Sequence, residues 1–217
     1  MIYSVDEIKR EVRIVLDQNN SSTPLSEVGD IDTLTLEEII EGAIPAAAEI
    51  VMKNAPIYLL GAGKAFGDSV GWDGDLIGIG SGYIHLPDDF LRLISFQMSD
   101  WDYPITEAIT EEHPLYRLQS NRYVRGNPQK PIVAITNQPV GLVLEFYSCT
   151  KGKSVFVKRA RYIPKPKIVD GYIDISENLY KAIIYYAGYL TAKTIGNDNL
   201  AEFLKTTSIK LQDNEAE

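Results

Sequence analysis

Several small clusters in this chain have residue types that can do chemistry. Gly61-Ala62-Gly63-Lys64-Ala65-Phe66-Gly67 has the glycines and lysine of a phosphate-binding loop. The P-loop pattern needs Ser or Thr after the lysine to reach a magnesium ion, and Ala65 stands there. The dinucleotide pattern needs its third glycine at the position of Phe66. The segment therefore reads as a flexible loop. Asp68, Asp73 and Asp75 are hard oxygen donors, but the calcium-loop spacing and its closing glutamate are missing. Asp88-Asp89 and the pair Asp100/Asp102 resemble the paired carboxylates of glycoside hydrolysis. Asp88-Asp89 directly follows Pro87, where turn-forming acids are common. His85 and His113 lie far apart and lack a nucleophile context such as G-x-S-x-G, so both read as structural or surface residues. Cys149 is the only cysteine, which excludes an intrachain disulfide and a multi-cysteine zinc site. The expectation is a protein that is not an enzyme and has no metal or cofactor.

The last cluster is basic. Lys151, Lys153, Lys158, Arg159, Arg161, Lys165 and Lys167 interleave with Phe156 and Tyr162. Such a stretch could meet nucleic-acid phosphates. The alternation in Val155–Arg161 suggests instead a strand with one basic face, available to an acidic protein partner or simply solvated.

The elements that must position these residues follow from periodicity. Residues 4–18 read as a helix, with Ser4 and Glu7 in a capping-box pattern and Val5, Ile8, Val12 and Leu16 on one face. A second helix is predicted over 35–54, opened by Thr35 and Glu38 and kinked at Pro45. From 56 to 170 the texture is β, with strands predicted at 82–87, 90–98, 131–135, 141–147 and 154–162. Lys151-Gly152 is expected to turn a hairpin between the last two. Residues 112–118 are compatible with one or two helical turns. Helix returns near 176, with Asp174 and Glu177 as cap residues. It ends at Gly196, and Asn197-Asp198 starts a final helix. The fold class is α+β: a helical core from both chain ends (1–55 and 171–217) with a β-rich insertion (56–170).

Composition sets the outer limits. The 45% hydrophobic and 24% charged residues are ordinary for a folded chain of 217 residues and rule out wholesale disorder. No apolar run approaches the roughly 20 residues of a membrane span, and the first residues lack a secretory signal. A soluble, intracellular protein without a membrane role is expected. The net charge of −9 is unevenly spread. Residues 55–112 hold ten acids and two bases, whereas 113–169 hold one acid and eleven bases. Either these segments pack together within one protomer, or they pair between neighbours.

The order of elements resembles the head–tail adaptor (connector) proteins of tailed bacteriophages, and most of all the tail tubular adaptors of short-tailed phages. Three stretches carry the likeness. One is the first helix, Ser22-Thr23-Pro24-Leu25 and a long second helix rich in small residues. Another is Tyr83-Ile84-His85-Leu86-Pro87-Asp88-Asp89-Phe90-Leu91-Arg92-Leu93-Ile94. The third is Tyr172-Ile173-Asp174-Ile175-Ser176-Glu177-Asn178-Leu179, leading to a helix with Tyr185, Tyr186 and Tyr189. The resemblance implies a structural virion protein that forms a ring, usually of twelve copies, beneath the portal at the head–tail junction. It also implies assembly in the host cytoplasm, contact with the portal and with tail or nozzle proteins, and passage of double-stranded DNA through the lumen. By that analogy the last helix docks on the portal, with Leu200, Phe203, Leu204, Ile209 and Leu211 as candidates. The ring interface is expected to pair the seven bases of 151–167 with Asp88, Asp89, Asp100 and Asp102, and the lumen to be acidic or neutral. The rivals are a second neck or stopper ring, a hydrolase built on the acid-rich loops, and a tail-associated carbohydrate- or host-binding module using Trp72 and Trp101 as stacking platforms.

Overall fold

A computed structural model describes residues 1–18, 30–67, 70–72, 81–121, 123–139, 141–147 and 155–213. The chain is α+β and divides into two compact units. The helical unit comprises Met1–Gly61 and Lys165–Glu217, and the β unit comprises Ala62–Pro164. These boundaries lie at 61/62 and 164/165, where the sequence pattern placed them at 55/56 and 170/171.

The helical unit contains α1 (Val5–Gln18), α2 (Asp30–Asn54), α4 (Tyr180–Thr194) and α5 (Asp198–Gln212). α4 packs against all three others. It can do so because Ala182, Ala187, Gly188 and Ala192 are small and buried, so neighbouring backbones approach closely. Ile8, Val12 and Leu16 of α1 and Ile40, Ile44 and Val51 of α2 fill the remaining core. α2 starts at Asp30, so Thr35 lies inside it and is not its cap. The helix runs on through Pro45, at the cost of one backbone donor. α4 starts at Tyr180, after a single 3-10 turn over Glu177–Leu179. Asp174 and Glu177 do not cap it, because Asp174 binds the Met1 ammonium at 3.1 Å. The Ser176 hydroxyl donates to the Leu59 carbonyl.

The α4–α5 junction follows local rules. Asn197 N–H donates to the Ala192 carbonyl (2.9 Å) and Gly196 N–H to that of Lys193 (3.2 Å), the paired bonds of a Schellman turn. The Asn197 side chain then caps α5 by accepting from Leu200 N–H at 3.2 Å.

A three-stranded antiparallel sheet completes this unit: β1 (Ile2–Ser4), β11 (Tyr172–Asp174) and β10 (Ile168–Val169). Asp170 and Gly171 join the last two strands, both at positive φ (51° and 80°), as a type I′ turn requires. Residues 2–4 thus form a strand, where periodicity carried the helix back to residue 4.

The β unit has two sheets. One has the order β2 (Lys64–Ala65), β9 (Val157–Pro164), β5 (Phe90–Met98). The other has the order β3 (Val70–Trp72), β4 (Gly82–His85), β8 (Gly141–Phe146), β7 (Val133–Gln138), β6 (Ile109–Thr110). Among the described residues the β6–β7 pair is parallel and the other strand pairs of this unit are antiparallel. An aromatic core joins the sheets, with Phe96 of β5 5.6 Å from Phe146 of β8 and 5.5 Å from Trp101 between ring centroids. β8 and β9 lie in different sheets and do not pair as the expected hairpin strands; Lys151 and Gly152, the expected turn, lie outside the described residues. Part of the glycine-rich stretch is built into the structure. β2 pairs with β9, and Phe66 is buried beside Phe90 and Tyr162.

The pairings β5–β9, β2–β9 and β4–β8 each join a strand of the acidic segment to one of the basic segment. The two segments therefore pack together within one protomer. The β unit holds eleven acids and eleven bases and is formally neutral. The helical unit, with nineteen acids and ten bases, carries the whole −9.

Candidate functional site

The basic residues fall into distinct groups. Lys151 and Lys153 lie outside the described residues, as do Asp68, Asp73, Asp75 and Cys149. Lys158 and Arg159 are adjacent on β9, and both are exposed. A β-bulge explains this break in alternation: Gln97 pairs with Arg159 and Met98 with Val157, leaving Lys158 as the extra residue. Phe156, just before β9, is also exposed. Arg161 is spent internally. Its guanidinium donates to the carbonyls of Ala62 (2.6 Å) and Gly63 (3.0 Å), fixing the glycine-rich turn to β9. Lys165 and Lys167 are exposed but belong to the helical unit, not to the β insertion.

The acidic candidates divide similarly. Asp88 and Asp102 are exposed. Asp100 is half-buried and already engaged in the fold. Asp89 is a structural node, accepting from the Tyr162 hydroxyl (2.9 Å) and from Lys64 Nζ (3.2 Å). Burial pushes its pKa up, but those two hydrogen bonds outweigh it and hold the carboxyl below the usual carboxylate range. The same contact, after burial, lifts the Tyr162 phenol to about 12. Lys64 therefore neutralises a carboxylate of its own unit and does not reach out toward a phosphate. Gly63 must remain glycine here: its φ is +61°, and a Cβ would meet the Tyr162 carbonyl oxygen at 2.5 Å.

In the helix proposed for docking, Leu200 and Leu204 are buried in the α4–α5 contact, with Leu204 lying against Gly188. Their role is the core, because a helix of this length must bury one stripe to be stable. Phe203 and Ile209 are exposed, and Leu211 is half-buried. Trp101 is 3% exposed and cannot stack on a ligand. The side chain of Trp72 lies outside the described residues.

Two arrangements lie outside the candidates that the sequence pattern singled out. Glu145 of β8 is buried, with the Gln138 amide donating to one carboxylate oxygen and the Tyr147 hydroxyl to the other. Burial, and then the hydrogen bond to Glu145, raise the Tyr147 phenol far above its ordinary value. A carboxylate with both oxygens occupied is a fixed acceptor, not a free base. Thr136 is also buried, and its hydroxyl has no hydrogen-bond partner among the described residues.

The second arrangement is the loop after α3 (Pro114–Leu118). The His113 ring caps this helix, with Nδ1 accepting from Leu115 N–H at 3.2 Å. Gln119, 2% exposed, then ties the two ends of the loop together. Its amide nitrogen donates to the Leu115 carbonyl (2.7 Å), and its oxygen accepts from Gly126 N–H (3.1 Å). The Asn121 side chain accepts from Tyr123 N–H at 3.0 Å. Tyr123 stands at the tip, 91% exposed, with Val124 beside it. Asn121 and Asn127, each accepting backbone N–H groups two residues on, were the available signal for such turns.

Among the described residues no three His, Cys, Asp or Glu side chains gather as a metal site, and no helix is long and apolar enough to cross a membrane. No protein-family model matches this chain, and no curated protein matches it.

Proposed function

We propose that this chain is a head–tail adaptor of a tailed bacteriophage, a structural virion protein whose copies form a ring between portal and tail. The observation that carries this reading is the architecture. Both chain ends fold into one helical unit and the middle into a β unit, in the order by which the sequence resembles those adaptors. On this reading the exposed face of α5, with Phe203 and Ile209, meets the portal. The β unit faces the next tail component, and Lys158 and Arg159 are free to contact it or a neighbouring copy. The −9 of the helical unit suits a channel wall that repels passing DNA instead of binding it.

Negative-stain imaging of the purified protein, alone and with its portal, tests the reading. Rings of defined copy number on the portal are expected. Isolated monomers that leave the portal bare would overturn it, and a structure of the ring with a basic lumen would remove the channel-wall assignment.

A further inference from the structure

The start of α3 is held by a side chain whose hydrogen-bonding capacity depends on pH. Pro114 stands at the first helical position and has no N–H, so Leu115 is the first donor that needs a partner. His113 supplies it. Its backbone is extended, and its Nδ1 accepts from Leu115 N–H at 3.2 Å. An acceptor at Nδ1 is the neutral imidazole with its proton on Nε2. The imidazolium carries a proton on both nitrogens, so it sets one N–H against another, and the ring must leave the cap. Asn, Ser and Thr, common at this position, keep their acceptor at every ordinary pH.

The capped residue is also where the loop is closed. The Leu115 carbonyl accepts from Gln119 Nε2 at 2.7 Å, and Gln119 Oε1 accepts from Gly126 N–H at 3.1 Å. A chain of hydrogen bonds thus runs from the His113 ring through Leu115 and Gln119 to Gly126. It crosses the base of the loop that carries Tyr123. The titratable and charged groups around His113 are Glu111 and Glu112 before it, and Tyr116 and Arg117 on α3. Glu145 lies beside Tyr116. The strand packed against α3, β6 (Ile109–Thr110), carries no charge. Among the described residues, none of these groups is hydrogen-bonded or ion-paired to the His113 ring. The cap therefore depends on the protonation state of that ring.

We infer that His113 is a pH-sensitive cap: its protonation releases Leu115, loosens the Gln119 tie and loosens the loop that carries Tyr123. The contact needs the neutral ring, so it is complete on the alkaline side and is lost as pH falls through the range, about 8 to 5, in which histidines change charge. The inference is independent of the adaptor reading and stands or falls without it.

The test uses the full-length wild type with His113→Asn, which keeps an acceptor at all pH values, and His113→Ala, which has none. A long-range proton–nitrogen spectrum of the wild type at pH 8 should show the His113 proton on Nε2. A proton on Nδ1 there would overturn the inference. Solvent exchange of the Leu115 and Gly126 amides is then measured by NMR at pH 8 and pH 5. Dividing each rate by that of His113→Asn at the same pH removes the intrinsic pH dependence of exchange. The wild type should match His113→Asn at pH 8 and exchange about fivefold faster at pH 5, the size of a lost cap. His113→Ala should be faster by that factor at both. A wild-type ratio independent of pH, or a response at Leu115 that Gly126 does not share, would overturn the inference.

Discussion

The helical unit and the β unit are stabilised by different kinds of side chain. Around α4 the contact is made by alanines, Gly188 and branched aliphatics, and its tightness comes from close backbone approach. Between the β sheets it is made by Phe66, Phe96, Phe146, Trp101 and Tyr162, large rings that fill space. The β unit also embeds Asp89 and Glu145 in hydrogen bonds, and Arg161 and Gln119 tie its loops to backbone carbonyls. Net charge divides the same way, −9 against zero. A small-residue interface is sensitive to added volume, and an aromatic one to lost volume. Asp89, held by Tyr162 and Lys64, also makes the β unit respond to acid in a way the aliphatic core does not.

The strongest way to break this comparison is Phe96→Ala. It removes a fully buried ring and should cost the β unit about 3–5 kcal/mol. Hydrogen-exchange mass spectrometry should show protection lost across 62–164 while α1, α2 and α4 keep theirs. Equal loss in both would show a single cooperative unit. Gly63→Ala comes next, at about 2 kcal/mol, because it combines a positive φ with a clash against a backbone carbonyl. Thermal melts followed by tryptophan fluorescence would register it through Trp101. A wild-type melting temperature would mean that the turn is not held as described.

Asp89→Asn should cost about 1.5 kcal/mol at neutral pH, the scale of hydrogen bonds to a charged acceptor. The folded pKa of Asp89 is depressed, so its contribution is complete above the unfolded value of about 4 and is lost as pH falls through the folded value. The difference between wild type and variant in urea melts should therefore shrink toward zero in acid. A difference independent of pH would show that packing, not charge, holds this corner. The smallest effect is expected at Gly188→Ala. A Cβ there meets the end of Leu204 at 3.3 Å, and the gain in helix propensity offsets the adjustment, for a net change within about 1 kcal/mol. A larger loss in chemical denaturation would show α4 and α5 packed more tightly than this distance implies.

Much of this was legible where local rules decide. β5 falls on the residues whose texture marked it, and α5 starts at its asparagine cap after the glycine that ends α4. The Asp170-Gly171 dipeptide, flanked by Ile168-Val169 and Tyr172-Ile173, also carried a hairpin signal. The failures share a cause. β1 is three residues whose partner lies about 170 positions away, so periodicity in its own window points to helix. Lys158 and Arg159 are both exposed only because the register with β5 slips. Asp89, Arg161, Leu200 and Leu204 have the types expected at an interface, but each is spent on a contact inside its own unit.

By itself the sequence determined the α+β class, the helices flanking a β-rich middle, and the uneven charge along the chain. Those features depend on composition and on spacing within a few residues, which chemistry dictates locally. Tertiary structure decided which charges cancel. It paired the acidic segment with the basic one strand by strand and left the net charge on the helices. It also decided which apolar residues stay outside, turning Leu204 inward and leaving Tyr123 and Tyr172 exposed. Burial depends on what arrives from elsewhere in the chain, and no window of sequence contains that.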